Sequence, residues 1–314
     1  HLIHHTERIR VNDTCISLAD WERIYDQYEG LFSLHKMTMF EMDLWMSLAY
    51  FIEQKVDYCI IEAGMGGRLD ATTALDYQAC LITNVGLDHT EYLGNTFEQI
   101  AYEKSGIFKP NVPALTTEDK PECRKVMELV ADYMNTPLCF IDCQETDVLR
   151  WNGMTFHLNP PLYQAKNLSL ALETLNVLGI WLEENEIQEV IDHFQWAGRF
   201  MVLRKAPLVL LDGAHNVHGI TALIHALKNF HGKIYFSVLK EKDAPHMIEL
   251  LQTISKDITL VEISSARLYP LEKLGYPIIT VDELISRLLD TKEDSLLCGS
   301  LYYVGEVLEK WGNV

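Results

Sequence analysis

Residues Glu62-Ala-Gly-Met-Gly-Gly-Arg-Leu-Asp-Ala-Thr72 decide the reading of this chain. The apolar run Tyr58–Ile61 precedes them and reads as a short buried strand ending in a carboxylate and a glycine turn. Gly64, Gly66 and Gly67 would let backbone approach a ligand closely, with Arg68 and Asp70 beside them. The same grammar recurs along the chain. Cys80–Ile82 leads into Thr83, Asn84, Asp88 and His89, and Leu208–Leu211 leads into Asp212 and His215. Ile234–Val238 precedes a Lys-Glu-Lys-Asp stretch, and Ser295–Cys298 precedes Gly299 and Ser300. Short apolar runs followed by polar turns and helical periods predict parallel α/β units, in which ligands bind beyond the carboxyl ends of the strands.

Two helices have legible starts. Thr38-x-x-Glu41 and Thr96-x-x-Gln99 are capping boxes ahead of apolar residues. The second helix should finish near Gly106, with Pro110 barring its continuation and Lys104 in its last turn. A third helix should include Asn167 through Leu178. Near Trp196-Ala-Gly-Arg199 a helical, acidic segment gives way to a strand set starting around Met201, so a domain boundary is expected there, dividing 1–196 from 197–314.

Composition narrows the function classes. The 314 residues are enough for about two domains. With 48% hydrophobic and 23% charged residues and no long apolar run, a soluble globular protein is expected, without a membrane partner or a signal peptide. A net charge of −19 argues against a nucleic-acid partner, so small molecules are the expected ligands. The seven cysteines form no C-x-x-C pair, and Cys59, Cys80 and Cys298 sit in apolar runs as expected buried thiols, which fits a reducing cytoplasm.

The Glu62–Thr72 block resembles the E-x-G-x-G-G-R-x-D-A-T signature of the folylpolyglutamate synthase and dihydrofolate synthase family, within the Mur ligase superfamily. Ile82-Thr-Asn-Val-Gly-Leu-Asp-His-Thr90, then Ile100-Ala-Tyr-Glu-Lys-Ser-Gly-Ile107, is similar to its next blocks in order and spacing. Leu211-Asp-Gly-Ala-His-Asn216 resembles its C-terminal-domain motif, and Gly299-Ser-Leu-Tyr-Tyr-Val-Gly-Glu306 its closing segment. The resemblance implies a P-loop NTPase-like parallel-sheet domain plus a smaller Rossmann-like α/β C-terminal domain. It implies ATP-dependent addition of L-glutamate to tetrahydrofolate through an acyl phosphate, with dihydropteroate as a further acceptor, by a monomeric cytoplasmic enzyme.

Residue by residue, the resemblance makes Glu62 and His89 ligands of Mg²⁺, which prefers oxygen, so that His89 is the less expected of the two. His89 could instead hydrogen-bond a loop carbonyl, and Asp88 could orient it. Lys104 matches a lysine that the family often carbamylates, or it remains a cation at a helix C-terminus. Asp212 and His215 match residues facing the nucleotide phosphates and the reacting centre, with Lys104 the expected catalytic group on the other side of a closing cleft. Asn167, Arg199 and Asp212 match ATP contacts, and Gly64, Gly66, Gly67 and Arg68 the cofactor-binding turn. The competing readings are Arg199 as a linker residue and Asn167 as a helix cap. Val217 stands where the family usually has proline, and Thr73 where it has asparagine.

No G-x-x-x-x-G-K-[ST] phosphate loop occurs in these residues, although the family carries one upstream of the stretch matching His1-Leu2. The expectation is that this polypeptide alone hydrolyses ATP poorly. The segment Phe156–Gln164 is also shorter than the family's strand pair there. Rival readings are a Mur-type amino-acid ligase acting on a cell-wall nucleotide, a catalytically inactive folate- or nucleotide-binding homologue, and a metal hydrolase built on Asp88, His89, Asp212 and His215.

Overall fold

The computed structural model describes residues 2–159, 161–227 and 230–312, which fall into two compact units. The first comprises residues 3–143 and 166–181 and the second residues 144–165 and 182–314, with Leu2 attached to the second.

The first unit opens with a small antiparallel pair, β1 (Arg10–Val11) and β2 (Thr14–Cys15), and two long helices, α1 (Leu18–His35) and α2 (Met39–Gln54). Ser17 caps α1 by accepting the Asp20 N–H at 3.0 Å, and the Thr38/Glu41 box caps α2 as the sequence predicts. Ile9, Ile16, Ile24, Phe32 and Met46 close a core between these elements. Next come β3 (Cys80–Ile82), α3 (Thr90–Leu93), α4 (Phe97–Ser105), β4 (Ala114–Thr116), α5 (Pro121–Met134) and β5 (Leu138–Phe140). The strands form a parallel sheet in the order β3-β4-β5, with Cys80 opposite Ala114 and Ala114 opposite Leu138. Ile100, Ala101, Phe108, Cys123 and Met127 bury against it. The helix predicted to end near Gly106 is α4, with Gly106 as its C-cap.

The run Tyr58–Ile61 differs from its sequence reading. It enters the glycine turn without a ladder partner among the described residues, and Ile60 is 93% exposed. An apolar extended segment becomes a strand only when a neighbour accepts its hydrogen bonds, and β3 stands at the edge of its sheet. Cys59 is consequently exposed rather than a core thiol, whereas Cys80 and Cys298 are buried as expected.

The second unit contains the hairpin β6 (Val148–Trp151) and β7 (Met154–His157). Helix α6 (Gln164–Val177) follows, contributing mostly to the first unit, and then α7 (Glu184–His193). The rest comprises β8 (Met201–Lys205), β9 (Leu208–Leu211), α8 (Val217–Ala226), β10 (Lys233–Phe236), α9 (Ala244–Leu251), β11 (Ile258–Glu262), β12 (Ile278–Thr280), α10 (Val281–Asp290), β13 (Ser295–Cys298) and α11 (Leu301–Trp311). Six strands run β12-β11-β10-β13-β9-β8, all parallel except the edge strand β8, which pairs antiparallel with β9. Leu210, Ile234, Phe236 and Leu296 face one core, while Val209, Tyr235, Leu297 and Tyr303 face the other. Strands buried on both faces read as continuous apolar runs, so β9 and β13 match their sequence readings residue for residue. The predicted strand 234–238 is shifted by one residue at its start and ends at Phe236. Inserting β13 between β9 and β10 reverses the strand order there, and their carboxyl ends deliver Asp212, Ser237 and Ser300 to one end of the sheet.

Candidate active site

In the first unit the glycine turn is built around Asp70. Its carboxylate accepts the N–H groups of Gly64 (2.8 Å) and Met65 (3.0 Å) through one oxygen, and the Thr72 N–H (3.0 Å) and hydroxyl (2.6 Å) through the other. Gly66 adopts a left-handed φ of +68°, which a side chain would strain. At Gly67 a Cβ would sit 2.8 Å from the Lys104 carbonyl and 2.9 Å from that of Glu103. The glycines thus seat the turn directly on α4. Arg68 completes the contact: its N–H donates to the Glu103 carbonyl at 2.8 Å, and its guanidinium pairs with the Glu103 carboxylate at 2.9 Å.

This seating brings Glu62 into electrostatic reach of Lys104, which also faces Asp88. Burial lowers the Lys104 ammonium below the usual lysine range, an effect that the Asp88 and Glu62 carboxylates partly offset. Glu62 and His89 are both exposed. His89 holds a left-handed backbone, φ +50° and ψ 37°, at the start of α3, with its N–H donating to the Asp88 carboxylate at 2.9 Å. A non-glycine residue in that region is uncommon, and such strain gathers at functional sites. No group of three or more His, Cys, Asp or Glu side chains converges as a complete metal cage among the described residues. One exposed carboxylate and one imidazole suit Mg²⁺ or Mn²⁺, which keep waters and bind substrate phosphates instead of needing an all-protein cage.

In the second unit Asp212 is 4% exposed, with both oxygens engaged. They accept the N–H groups of Phe200 and Ala214, each at 2.7 Å. Gly213 donates to the Gly198 carbonyl at 2.7 Å, so the loop carrying Arg199 is stitched to the end of β9. Burial raises the Asp212 pKa, opposed by these two N–H groups, Arg199 and His215. Nδ1 of His215 bonds to the Gly213 carbonyl at 2.8 Å. The carbonyl can only accept, so Nδ1 carries the hydrogen and Nε2 is the acceptor of the neutral ring. Asn167 is exposed on α6, and Arg199 is exposed beside Gly213. The sequence reading missed Tyr163, whose phenol is pushed up to about 12, first by burial and then by Asp212. Its only sequence signal is adjacency to Gln164. The buried hydroxyls of Ser237 and Ser300 have no hydrogen-bond partner among the described residues.

The model of the Mur ligase middle domain matches residues 22–159. A dihydrofolate synthase/folylpolyglutamate synthase from Buchnera aphidicola subsp. Acyrthosiphon pisum is 31% identical, covering 98% of this chain and 80% of that protein. The chain belongs to the dihydrofolate synthase/folylpolyglutamate synthase family. Two solved family structures extend the match. A bifunctional folylpolyglutamate synthase/dihydrofolate synthase with Mn, AMPPNP and L-glutamate bound is 27% identical with a TM-score of 0.87, covering 99% of this chain and 81% of that one. The E. coli FolC protein in complex with DHPP and ADP is 27% identical with a TM-score of 0.85, covering 100% and 80%. Within the family assignment, Asp88 and Glu62 face Lys104 in one unit, with His89 next to Asp88 in the chain, and Arg199, His215 and Tyr163 interact with Asp212 in the other.

Proposed function

We propose that this protein is an ATP-dependent ligase that adds L-glutamate to the carboxylate of a reduced folate, with dihydropteroate as a further acceptor. The observation that carries the reading is the convergence of Glu62 and Asp88 on Lys104, with His89 adjacent, in a chain whose family relatives bind Mn, AMPPNP and L-glutamate, or DHPP and ADP.

The reaction balances in two steps. A folate carboxylate oxygen takes the γ-phosphoryl group of ATP, releasing ADP; the glutamate amine then attacks the acyl carbon, expels phosphate and loses a proton. Bound through Glu62 and His89, Mg²⁺ would neutralise phosphate oxygens. The chain's own residues do the remainder. Asp70 fixes the glycine turn that presents Glu62, and Arg68 pins that turn to α4. In the first unit Lys104 is assigned positive charge for the transferring group and Asn167 a nucleotide contact, and in the second unit Arg199 is assigned an ATP contact. Asp212 holds the loop carrying Arg199, and His215, through Nε2, is the group assigned to accept the amine proton.

We assign the nucleotide-binding and ligase functions to 1–196 and 197–314 respectively, in a monomer working in the cytoplasm. No helix among the described residues is long and apolar enough to cross a membrane. Incubating the full-length gene product with ATP, Mg²⁺, labelled glutamate and either tetrahydrofolate or dihydropteroate tests the reading. Acceptor-dependent incorporation is expected, and phosphate release indifferent to both acceptor and glutamate would overturn it.

A further inference from the structure

The loop between β3 and α3 carries Asp88 and His89, yet the residue that fixes it lies on another strand. Glu118, at the exit of β4, is 2% exposed, an unusual burial for a carboxylate. One of its oxygens accepts the N–H of Val85. The other accepts the Lys120 N–H at 2.8 Å and the Lys120 ammonium at 3.2 Å. Lys120 in turn donates to the Val85 carbonyl at 2.9 Å and lies over the Phe97 ring at 5.4 Å. Both backbone polar groups of Val85 are therefore held by one ion pair, whose carboxylate is buried and whose ammonium is half-buried. Thr117 adds a third tie, its hydroxyl donating to the Thr83 carbonyl at 2.6 Å. Taking the Glu118 charge out of water costs more than a well-packed apolar side chain would, so stability alone does not call for this arrangement. What it supplies is directional: two hydrogen bonds of opposite sense fix the two peptide planes that flank a fully buried residue, three positions before Asp88.

We propose that Glu118, with Lys120, is a positioning residue for the metal–nucleotide site, acting through Val85 to hold Asp88 facing Lys104 and, next to it in the chain, the strained His89. This rests on the reading of Glu62 and His89 as metal ligands given above. Glu118 itself is too deeply buried to touch a ligand. Glutamine at 118 could satisfy the Val85 N–H or the Lys120 side, but not both, because its amide has one acceptor and one donor end.

The test compares wild type, E118Q and the double variant E118Q/K120M, as full-length gene products, by Mn²⁺ binding in electron paramagnetic resonance and by hydrogen exchange of the peptide spanning residues 83–89. The double variant replaces the pair with uncharged side chains of similar size, which keeps the fold accessible if the single variant fails to fold. Expected are faster exchange across 83–89 and a loss of Mn²⁺ affinity of about 10-fold or more, the size usual for residues that orient a metal ligand. K120R, which keeps the pair and the carbonyl donor, should restore both near wild type. A cooperatively folded E118Q/K120M protein with wild-type exchange and wild-type Mn²⁺ affinity overturns the proposal. Mn²⁺ binding that E62A and H89A leave unchanged would overturn the metal reading instead, and the exchange of residues 83–89 would still decide the role of Glu118.

Discussion

At Asp212 two effects compete over one carboxylate. Burial favours the protonated form, while the Phe200 and Ala214 N–H groups, Arg199 and His215 favour the charged one, and burial prevails. A carboxylate with a raised pKa in the folded state contributes its full stability below the unfolded value of about 3.9, and that contribution is lost as pH rises through the folded value. Relative to D212N, wild type should therefore gain stability on acidification from neutral pH toward about pH 4. Urea unfolding of both proteins across that range measures the difference. A D212N protein that withstands acid better than wild type would mean that the hydrogen bonds and cations dominate instead. The same residue scale explains why Lys104 was ambiguous in the sequence. A lysine in the last turn of a helix suits the macrodipole by itself, and only its burial beside Asp88 and Glu62 separates it from an ordinary capping cation.

Among the elements, α4 is the platform for the site, and its length is set by local signals at both ends. The Thr96/Gln99 box starts it and Gly106 stops it, but Gly106 has a second task that no local signal reveals. A Cβ there would overlap the backbone of Arg68, so the glycine turn can dock on α4 only because that atom is missing. G106A should destabilise the protein by about 1–3 kcal/mol through overpacking and weaken Mn²⁺ binding as the turn is pushed away. G30A is the control, in the middle of α1 with open space around it. There the substitution should stabilise by about 0.5–1 kcal/mol, because alanine is the better helix former. Thermal unfolding of the two variants separates the roles, and equal effects of the same sign would contradict the docking account.

Over the whole molecule, a net charge of −19 opposes the anionic substrates that the proposed reaction requires. Local groups such as Lys104 and Arg199 must overcome that field at short range. Raising ionic strength from about 0.01 M to about 0.15 M shortens the screening length from about 30 Å to about 8 Å. Screening of the long-range repulsion should then speed association of the ATP–metal complex, measured by stopped flow at fixed free Mg²⁺. Slower association with added salt would show that the local positive field already dominates at a distance.

Local pattern determined much of this protein. Capping boxes join residues three apart, and strands buried on both faces write themselves as apolar runs, so α2, α4, β9 and β13 were legible, as were the short apolar run of β3 and the blocks that resemble the ligase family. Only the tertiary structure decided that Tyr58–Ile61 forms no ladder, that Asp70 occupies the N–H groups of Gly64 and Met65, that Tyr163 approaches Asp212, and that Glu118 holds Val85. Those facts depend on partners brought together by folding and on burial that no single segment possesses. Hydrogen bonds between distant residues leave no period in the sequence, and the desolvation of a carboxylate exists only once other side chains have closed over it.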